Sequence, residues 1–135
     1  MKETKDKKLR ALLIGVVHGR QTQEEVEENL SELALLATTA GIEVTGEIIQ
    51  KRAQIHAALY VGKGKAEEIR ASVAMLKADL VIFDDELSPA QTKNLDKAIE
   101  PARIIDRSSL ILDIFVSHAS SKESKTQVEL AQLQY

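Results

Sequence analysis

Residues 80–91 read L-V-I-F-D-D-E-L-S-P-A-Q, and this stretch decides the fold class of the chain. Its first five residues, L-V-I-F-D, are a predicted strand with apolar residues on both faces, which is typical of parallel sheets covered by helices. A helix start follows: Ser88 is the predicted cap, Pro89 has the preset φ angle of a first helical position, and Gln91 closes a capping box. A buried strand that leads into a capped helix favours an α/β fold.

The same order of strand and then helix recurs along the chain. Thr22 and Glu25 form another capping box, and hydrophobic residues at helical spacing follow both Thr22 and the segment 60–69. The predicted strands lie at residues 9–17, 42–50, 80–84 and 103–106. This alternation predicts an α/β fold with a four-stranded parallel sheet, right-handed crossovers and flanking helices. We assign residues 1–107 to an α/β subdomain.

The C-terminal part of the chain departs from this alternation. Residues 110–116 are apolar and predicted to be helical, and Ser120 with Glu123 forms a further capping box for a helix that runs to Tyr135. No stop signal ends that helix. We therefore predict that residues 108–135 are a helical segment, the start of a C-terminal helical arm in a chain cut before its next element. Apolar surface left on such a truncated arm leads us to expect self-association.

Composition limits the classes of protein to which the chain can belong. Its 135 residues suit one domain, and the net charge of −3 gives no overall sign of a nucleic-acid binder, although a local basic surface could still bind one. The absence of cysteine excludes disulfides, thiolate metal sites and a cysteine nucleophile. The longest apolar run, residues 11–17, is far shorter than the roughly 20 residues that span a bilayer, and the N-terminus lacks the apolar segment of a signal peptide. We expect no membrane span and a cytoplasmic location.

Residues 60–69, Y-V-G-K-G-K-A-E-E-I, are the first candidate binding site. The spacing fits neither phosphate-loop template: one residue separates the glycines, no Ser or Thr follows Lys65, and Glu67 stands where a third glycine would be. A general anion nest at Gly62 and Gly64 still fits the sequence, because lysine charge would join the backbone N–H groups there. The segment 50–65 has no acidic residue and four basic ones, Lys51, Arg52, Lys63 and Lys65. The alternative is a plain turn with solvated charges.

Three aspartates follow predicted strands. Asp84 and Asp85 end the third strand and Asp106 ends the fourth, at the sheet edge where open α/β folds bind ligands. Mg²⁺ binding or acid–base chemistry would require two of these carboxylates to converge. The alternative is that Asp84, Asp85 and Glu86 solvate the turn before Ser88. The three histidines have no metal-binding spacing, so we predict no metal site, with the three aspartates as the weak candidates.

Four long strings of the sequence then carry a resemblance to a known family. They are Y-V-G-K-G-K-A-E-E at 60–68, V-I-F-D-D-E-L-S-P-A-Q at 81–91, I-I-D-R-S-S-L-I-L-D-I-F at 104–115 and Q-V-E-L-A-Q-L-Q-Y at 127–135. With these strings in this order, the chain resembles the N-terminal domain of the HflX-type GTPases, which belong to the Obg-HflX superfamily of translation-factor-like GTPases. Residues 1–59 match that family only in general pattern.

The resemblance implies a role on the ribosome. Members of the family bind the large ribosomal subunit and split or rescue stalled ribosomes, using a GTPase domain that follows the N-terminal domain. The N-terminal domain combines an α/β subdomain with a long helical hairpin and helps to engage ribosomal RNA. Because the GTPase motifs are missing from this chain, we expect no GTP hydrolysis by it, and we expect GTP and Mg²⁺ only in the missing GTPase domain.

Three functions follow as hypotheses. The first is a ribosome-binding and regulatory module that contacts RNA through Lys51, Arg52 and the Gly62, Lys63, Gly64 and Lys65 turn, with Arg107, Lys122 and Lys125 as weaker candidates. The second is an intramolecular regulator of the GTPase domain that makes no direct RNA contact. The third is a separate module that binds Mg²⁺ through Asp84, Asp85 and Asp106 and a nucleotide near residues 62–65.

Overall fold

The structure is a computed structural model that describes residues 8–118. Strands and helices alternate along this part of the chain. In order, they are β1 (Arg10–Val17), α1 (Gln23–Thr39), β2 (Glu43–Lys51), α2 (Lys63–Leu76), β3 (Leu80–Phe83), α3 (Pro89–Ala98), β4 (Arg103–Asp106) and α4 (Arg107–His118). The predicted helix from Ser120 to Tyr135 lies outside the described residues.

The four strands form one parallel sheet with the order β2-β1-β3-β4. This confirms the predicted α/β fold with a four-stranded parallel sheet and flanking helices. The chain leaves β1 toward β2 on one side and then returns to β3 on the other side of β1. The direction of strand addition therefore reverses between β1 and β3, and such a switch point opens a crevice at the carboxyl ends of the strands.

The helices cover both faces of the sheet, as the buried strands require. On one face, Leu12 and Ile14 of β1 share a core with Ile69 of α2 and Leu95 of α3. On the other face, alternate β1 residues such as Leu13 pack with α1 and α4. Residues 11–17 are all buried, because β1 is central and helices lie on both of its faces.

Two helix starts have the local geometry that the sequence predicts. At α1, the Glu25 N–H donates to Thr22 Oγ1 at 3.1 Å, and the Thr22 N–H donates to the Glu25 side chain at 2.9 Å. At α3, Ser88 and Gln91 make the same reciprocal pair at 3.1 and 2.9 Å. Each pair satisfies two backbone groups that a helix end leaves without partners, and so fixes where the chain turns back along the sheet.

Helix α4 begins directly after β4 and lies on the same face as α1. Its Leu110 is buried in the core, which docks the start of the helix on the sheet. Its outer face is apolar and 43–55% exposed, at Ile111, Leu112, Phe115 and Val116. The domain boundary predicted at residue 107 stays a prediction. Among residues 8–118, no helix is long and apolar enough to cross a membrane.

Candidate functional site at the carboxyl edge of the sheet

Charged and polar residues from all four strand ends meet at the carboxyl edge of the sheet. Because the strands are parallel, the residues that follow them lie along one edge. These are His18 after β1, Lys51 and Arg52 at β2, Asp84 and Asp85 after β3, and Asp106 at the end of β4. The edge thus holds both the predicted basic residues and the predicted carboxylates.

His18, Tyr60 and Asp85 form a polar cluster at the switch point between β1 and β3. The Tyr60 hydroxyl donates to Asp85 Oδ2, and His18 Nε2 lies 3.4 Å from both that oxygen and the Tyr60 oxygen. The Tyr60 ring packs edge-on against His18 and Phe83, with centroid separations of 6.1 and 6.0 Å. Tyr60 has a φ angle of 66°, a left-handed conformation that a non-glycine residue keeps only when its surroundings hold it there.

The environment of Tyr60 keeps it as a hydrogen-bond donor. Burial raises its pKa far above the ordinary value of 10.0, and the hydrogen bond to Asp85 raises the pKa further. Only 4% of the residue is exposed, so a phenolate would be poorly solvated and would face the Asp85 carboxylate. Tyr60 is therefore a neutral anchor for the chain that leads into α2.

Asp84 is bound by the first residue of α4. Its side chain is 7% exposed, and Arg107 donates to Asp84 Oδ1 from Nε at 3.0 Å and from Nη2 at 2.8 Å. Nη2 of Arg107 also donates to the Asn29 carbonyl at 2.8 Å, and Nη1 lies 3.9 Å from Glu32. Burial raises the pKa of Asp84, and Arg107 opposes that rise. The Arg107 guanidinium, a weaker RNA candidate in the sequence, is thus engaged within the protein.

Asp106 has a different set of partners. Its Oδ2 accepts the Leu87 N–H at 3.0 Å, and its Oδ1 accepts the Ser109 N–H at 2.9 Å. Asp106 therefore organises the start of α4 and the loop after β3. Each of the three weak metal candidates has a protein partner, and within residues 8–118 no three His, Cys, Asp or Glu side chains are grouped to hold a metal ion.

The end of β2 is joined to the start of α2. Gly62 is the N-cap residue of α2, and its N–H donates to Gln50 Oε1 at 3.0 Å. Arg52 lies against Gly62: a Cβ on this glycine would be 2.6 Å from Arg52 Nη1. Arg52 Nε also donates to the Gln54 carbonyl at 2.8 Å, which fixes the direction of the guanidinium. The predicted basic residues of β2 and of the glycine turn thus belong to one surface.

The turn residues themselves are open to solvent. Lys63 and Gly64 are exposed, and no atom would come within 4 Å of a Cβ on Gly64. Lys65 makes an ion pair with Glu68 at 2.9 Å, so part of its charge is offset locally. Of the remaining RNA candidates, Lys122 and Lys125 lie outside the described residues.

Side chains of α3 donate hydrogen bonds to the loop between β2 and α2. His56 Nδ1 accepts the Ala58 and Leu59 N–H groups at 3.2 and 3.1 Å. Gln91 donates to the His56 carbonyl at 3.2 Å, and Asn94 donates to the Ala58 carbonyl at 3.1 Å. These contacts place Tyr60 at the switch point and Gly62 beside β2.

Sequence reasoning missed His18 and Tyr60 as members of this site. One signal was available, because His18 follows the first strand as Asp84 and Asp85 follow the third, and carboxyl ends of parallel strands share an edge. The chain gave no comparable signal for Tyr60, whose position depends on a loop conformation with positive φ.

Fold and site define a doubly wound α/β domain with a charged carboxyl edge. The family model described as GTP-binding GTPase N-terminal matches residues 27–116. The chain belongs to this family and is the N-terminal domain of an HflX-type protein, which confirms the resemblance seen in the sequence.

Relatives named GTPase HflX match nearly all of the chain. The protein from Caldanaerobacter subterraneus is 49% identical over all of this chain and 30% of its own length. The protein from Alkalihalophilus pseudofirmus is 48% identical over 92% of this chain and 29% of its own length. The chain therefore spans less than a third of the length of these relatives.

A solved structure shares the fold. It is a GTP-binding protein from Sulfolobus solfataricus in complex with GDP, with a TM-score of 0.63 and 25% sequence identity. The match covers 94% of this chain and 37% of the other one.

Proposed function

We propose that this domain is the ribosome-binding and regulatory module of an HflX-type GTP-binding protein, and that it contacts RNA of the large ribosomal subunit. The contact surface in this proposal is the basic rim, defined as Lys51, Arg52, Lys63 and Lys65. The observation that carries the proposal is the junction of β2 and α2, where Arg52 lies against Gly62 and the Gly62 N–H is bound by Gln50. Two basic segments separated in sequence thereby belong to one surface.

Electrostatics supports the basic rim as an RNA contact despite the net charge of −3. Affinity for nucleic acid depends on local neutralisation of phosphates, and each lysine or arginine that does this releases condensed counterions. Residues 50–65 contain no acidic residue, so the local charge is positive. Because Lys65 is paired with Glu68, we expect Lys51, Arg52 and Lys63 to contribute more than Lys65.

The test is binding of purified large ribosomal subunits across a salt series by the Lys63→Ala/Lys65→Ala variant. The expected result is weaker binding, with the salt slope reduced by about one unit for each lysine that contacts a phosphate. The matched control is Lys8→Ala/Lys93→Ala, which removes two exposed lysines, one before β1 and one on α3. Unchanged affinity and slope in the Lys63→Ala/Lys65→Ala variant would exclude the glycine turn as part of the RNA contact.

In this proposal, GTP and Mg²⁺ bind in a separate GTPase domain, and the chain described here performs no hydrolysis of its own. The relatives bear the name GTPase and are more than three times as long as this chain, which supports that division. A ribosomal partner also implies a cytoplasmic location. Whether the isolated 135-residue chain hydrolyses GTP is tested directly with radiolabelled GTP, where release of phosphate would contradict the proposal.

A second candidate function is regulation of the GTPase domain by direct packing, without RNA contact. The observation that favours it is the apolar outer face of α4, where four large side chains are 43–55% exposed. Such a face is typical of a surface that packs on another domain. The chain is added in trans to an isolated HflX-type GTPase domain, and an unchanged nucleotide affinity and turnover would rule out this function.

A further inference from the structure

A notch lies between the ends of β1 and β2, and Lys51 and Arg52 of the basic rim line it. It has a volume of about 340 Å³ and is lined by residues 17–19 and 51–53. The backbone there is fixed, because the Arg52 N–H donates to the Val17 carbonyl at 2.9 Å. Gly19 has a φ angle of 64°, and a Cβ on it would meet no atom within 4 Å, so this wall of the notch is open.

The charged residues that line the notch are all basic. Lys51 and Arg52 contribute two cations, His18 contributes an imidazole, and no carboxylate lines the notch. Among the described residues, Lys51 has no carboxylate within 4.0 Å of its ammonium group. The neighbouring acid, Asp85, already accepts from Tyr60 and lies within 3.4 Å of His18. A notch with this lining attracts an anion.

The tautomer of His18 follows from its neighbours. The Tyr60 proton is donated to Asp85, so Nε2 of His18 faces two acceptor oxygens, one from each residue, at 3.4 Å. Nε2 therefore carries a proton, and Nδ1 is the ring nitrogen that remains for a further partner. An anion at Nδ1 requires the imidazolium form, in which the ring has the Asp85 carboxylate on one side and the anion on the other. The ring contacts Asp85 and Tyr60 through Nε2, and Lys51 and Arg52 line the same notch as His18.

We propose that this notch binds a phosphate of the RNA backbone, with His18, Lys51 and Arg52 as the binding residues. The inference rests on the proposed function and adds to it a phosphate position and a histidine contact. A free nucleotide fits the notch less well, since its only hydrocarbon side chains are Val17 and Ala53 and no Phe, Tyr or Trp ring lines it to stack on a base. An RNA strand needs no base contact here, because phosphate contacts alone position it.

The experiment follows the ring nitrogens of His18 by NMR while the full 135-residue chain is titrated with a short oligouridylate. The His18→Gln spectrum assigns the signals, and Gln keeps an amide donor in place of Nε2–H. The expected result is a shift of the Nδ1 signal to the imidazolium position as RNA binds.

In a second experiment, binding of the Lys51→Gln variant is measured across a salt series. Lys51→Gln is expected to weaken binding several-fold and to reduce the salt slope by about 0.7, the value for one single-strand phosphate contact. Lys8→Gln is the control and is expected to change neither, because Lys8 is exposed and precedes β1 at the amino end of the sheet.

Two results would separate this inference from the function on which it rests. If the His18 signals stay still and Lys51→Gln binds normally, while Lys63→Ala/Lys65→Ala weakens binding, the notch site is wrong, and Lys63 and Lys65 remain as the RNA contact of the proposed function. If none of these variants affects binding of RNA or of large subunits, both ideas fail. A titration with inorganic pyrophosphate identifies the ligand: an Nδ1 shift with pyrophosphate and none with oligouridylate would overturn RNA as the partner.

Discussion

Arg107, the first residue of α4, places its Nη2 atom 2.8 Å from Oδ1 of Asp84, the residue that follows β3. The same nitrogen donates to the Asn29 carbonyl in α1 at 2.8 Å. One guanidinium thus connects a strand end, a neighbouring helix and the start of α4. Because the planar guanidinium has donors in fixed directions, this contact also constrains the angle at which α4 leaves the sheet.

We predict that Arg107→Ala destabilises the fold by about 2–4 kcal/mol, measured as the free energy of unfolding in urea at neutral pH. Its removal leaves the Asp84 carboxylate buried without its counter-charge, which is costly. The value lies below that for a fully buried pair because 27% of the Arg107 side chain is exposed.

Asp84→Asn is the control for this interpretation, because it removes the charge and keeps the shape. In the Asp84→Asn background, Arg107→Ala is expected to cost less stability than it does alone.

The stability that Arg107→Ala alone removes is also expected to depend on pH. Burial raises the pKa of Asp84 above 3.8, and a protonated Asp84 needs no counter-charge. The cost of Arg107→Ala should therefore be small below pH 3.8 and grow as pH rises through the raised pKa. A cost independent of pH and of residue 84 would show that Arg107 acts only through packing.

Tyr60→Phe is predicted to destabilise the fold by about 1.5–3 kcal/mol at neutral pH, because it removes a hydrogen bond to a carboxylate in a buried setting. The difference in the free energy of unfolding between the wild type and Tyr60→Phe should depend on pH in the alkaline range. The folded pKa of Tyr60 lies above its unfolded value of 10.0, so only the unfolded chain releases this proton just above pH 10. The stability that the raised pKa of Tyr60 contributes is fully present below pH 10, and above pH 10 it is lost by up to about 1.4 kcal/mol per pH unit.

Urea midpoints of the wild type and Tyr60→Phe at several pH values check this prediction, since the other titrating groups are common to both chains. The two curves should converge above pH 10. A gap that stays constant into that range would mean that the folded protein ionises Tyr60 as easily as the unfolded chain does.

The sequence predicted the sheet class and the helix starts because these depend on local signals. The apolar run at 80–83 predicts a buried parallel strand, and the Thr22 and Ser88 caps predict where α1 and α3 begin. The polar cluster at the switch point could not be predicted in the same way. His18 and Asp85 are 67 residues apart and meet only because β1 and β3 are neighbours in the sheet.

The basic residues also show that sequence reasoning finds the local partners of a side chain and misses the distant ones. Sequence reasoning names Lys65 as a candidate RNA contact and Arg107 as a weaker one. In the fold, Lys65 is paired one turn along its own helix, whereas Arg107 is paired across the sheet edge with a residue 23 positions away. The first partner follows from helical spacing, and the second requires the tertiary structure.

The two glycines of the basic turn are predicted to respond in opposite directions to alanine. Gly64→Ala should stabilise the fold by up to about 1 kcal/mol, because Gly64 is helical and its Cβ would meet no atom within 4 Å. Gly62→Ala should cost about 0.5–1 kcal/mol, because alanine is a poor N-cap residue and its Cβ would displace the Arg52 guanidinium, only 2.6 Å away. Urea unfolding of both variants tests the assignment. A stabilising Gly62→Ala would show that Arg52 does not occupy this position in solution.

Two leucines of α4 test whether this helix is part of the α/β core. Leu110 is 1% exposed and packs with α1 and the sheet, whereas Leu112 is 55% exposed on the outer face. Leu110→Ala should therefore destabilise the fold by about 2–4 kcal/mol, through lost burial and the cavity that remains. Leu112→Ala makes the same chemical change on the same helix and should alter stability by less than about 0.5 kcal/mol. Thermal and urea unfolding of the two variants measure the difference in stability loss between Leu110→Ala and Leu112→Ala.

Two outcomes would contradict this prediction. Equal small effects would mean that α4 is not docked on the sheet, and the domain would then end at β4. Equal large effects would mean that the outer face of α4 is buried in the folded chain, which would remove the apolar surface on which the packing of α4 against a GTPase domain depends.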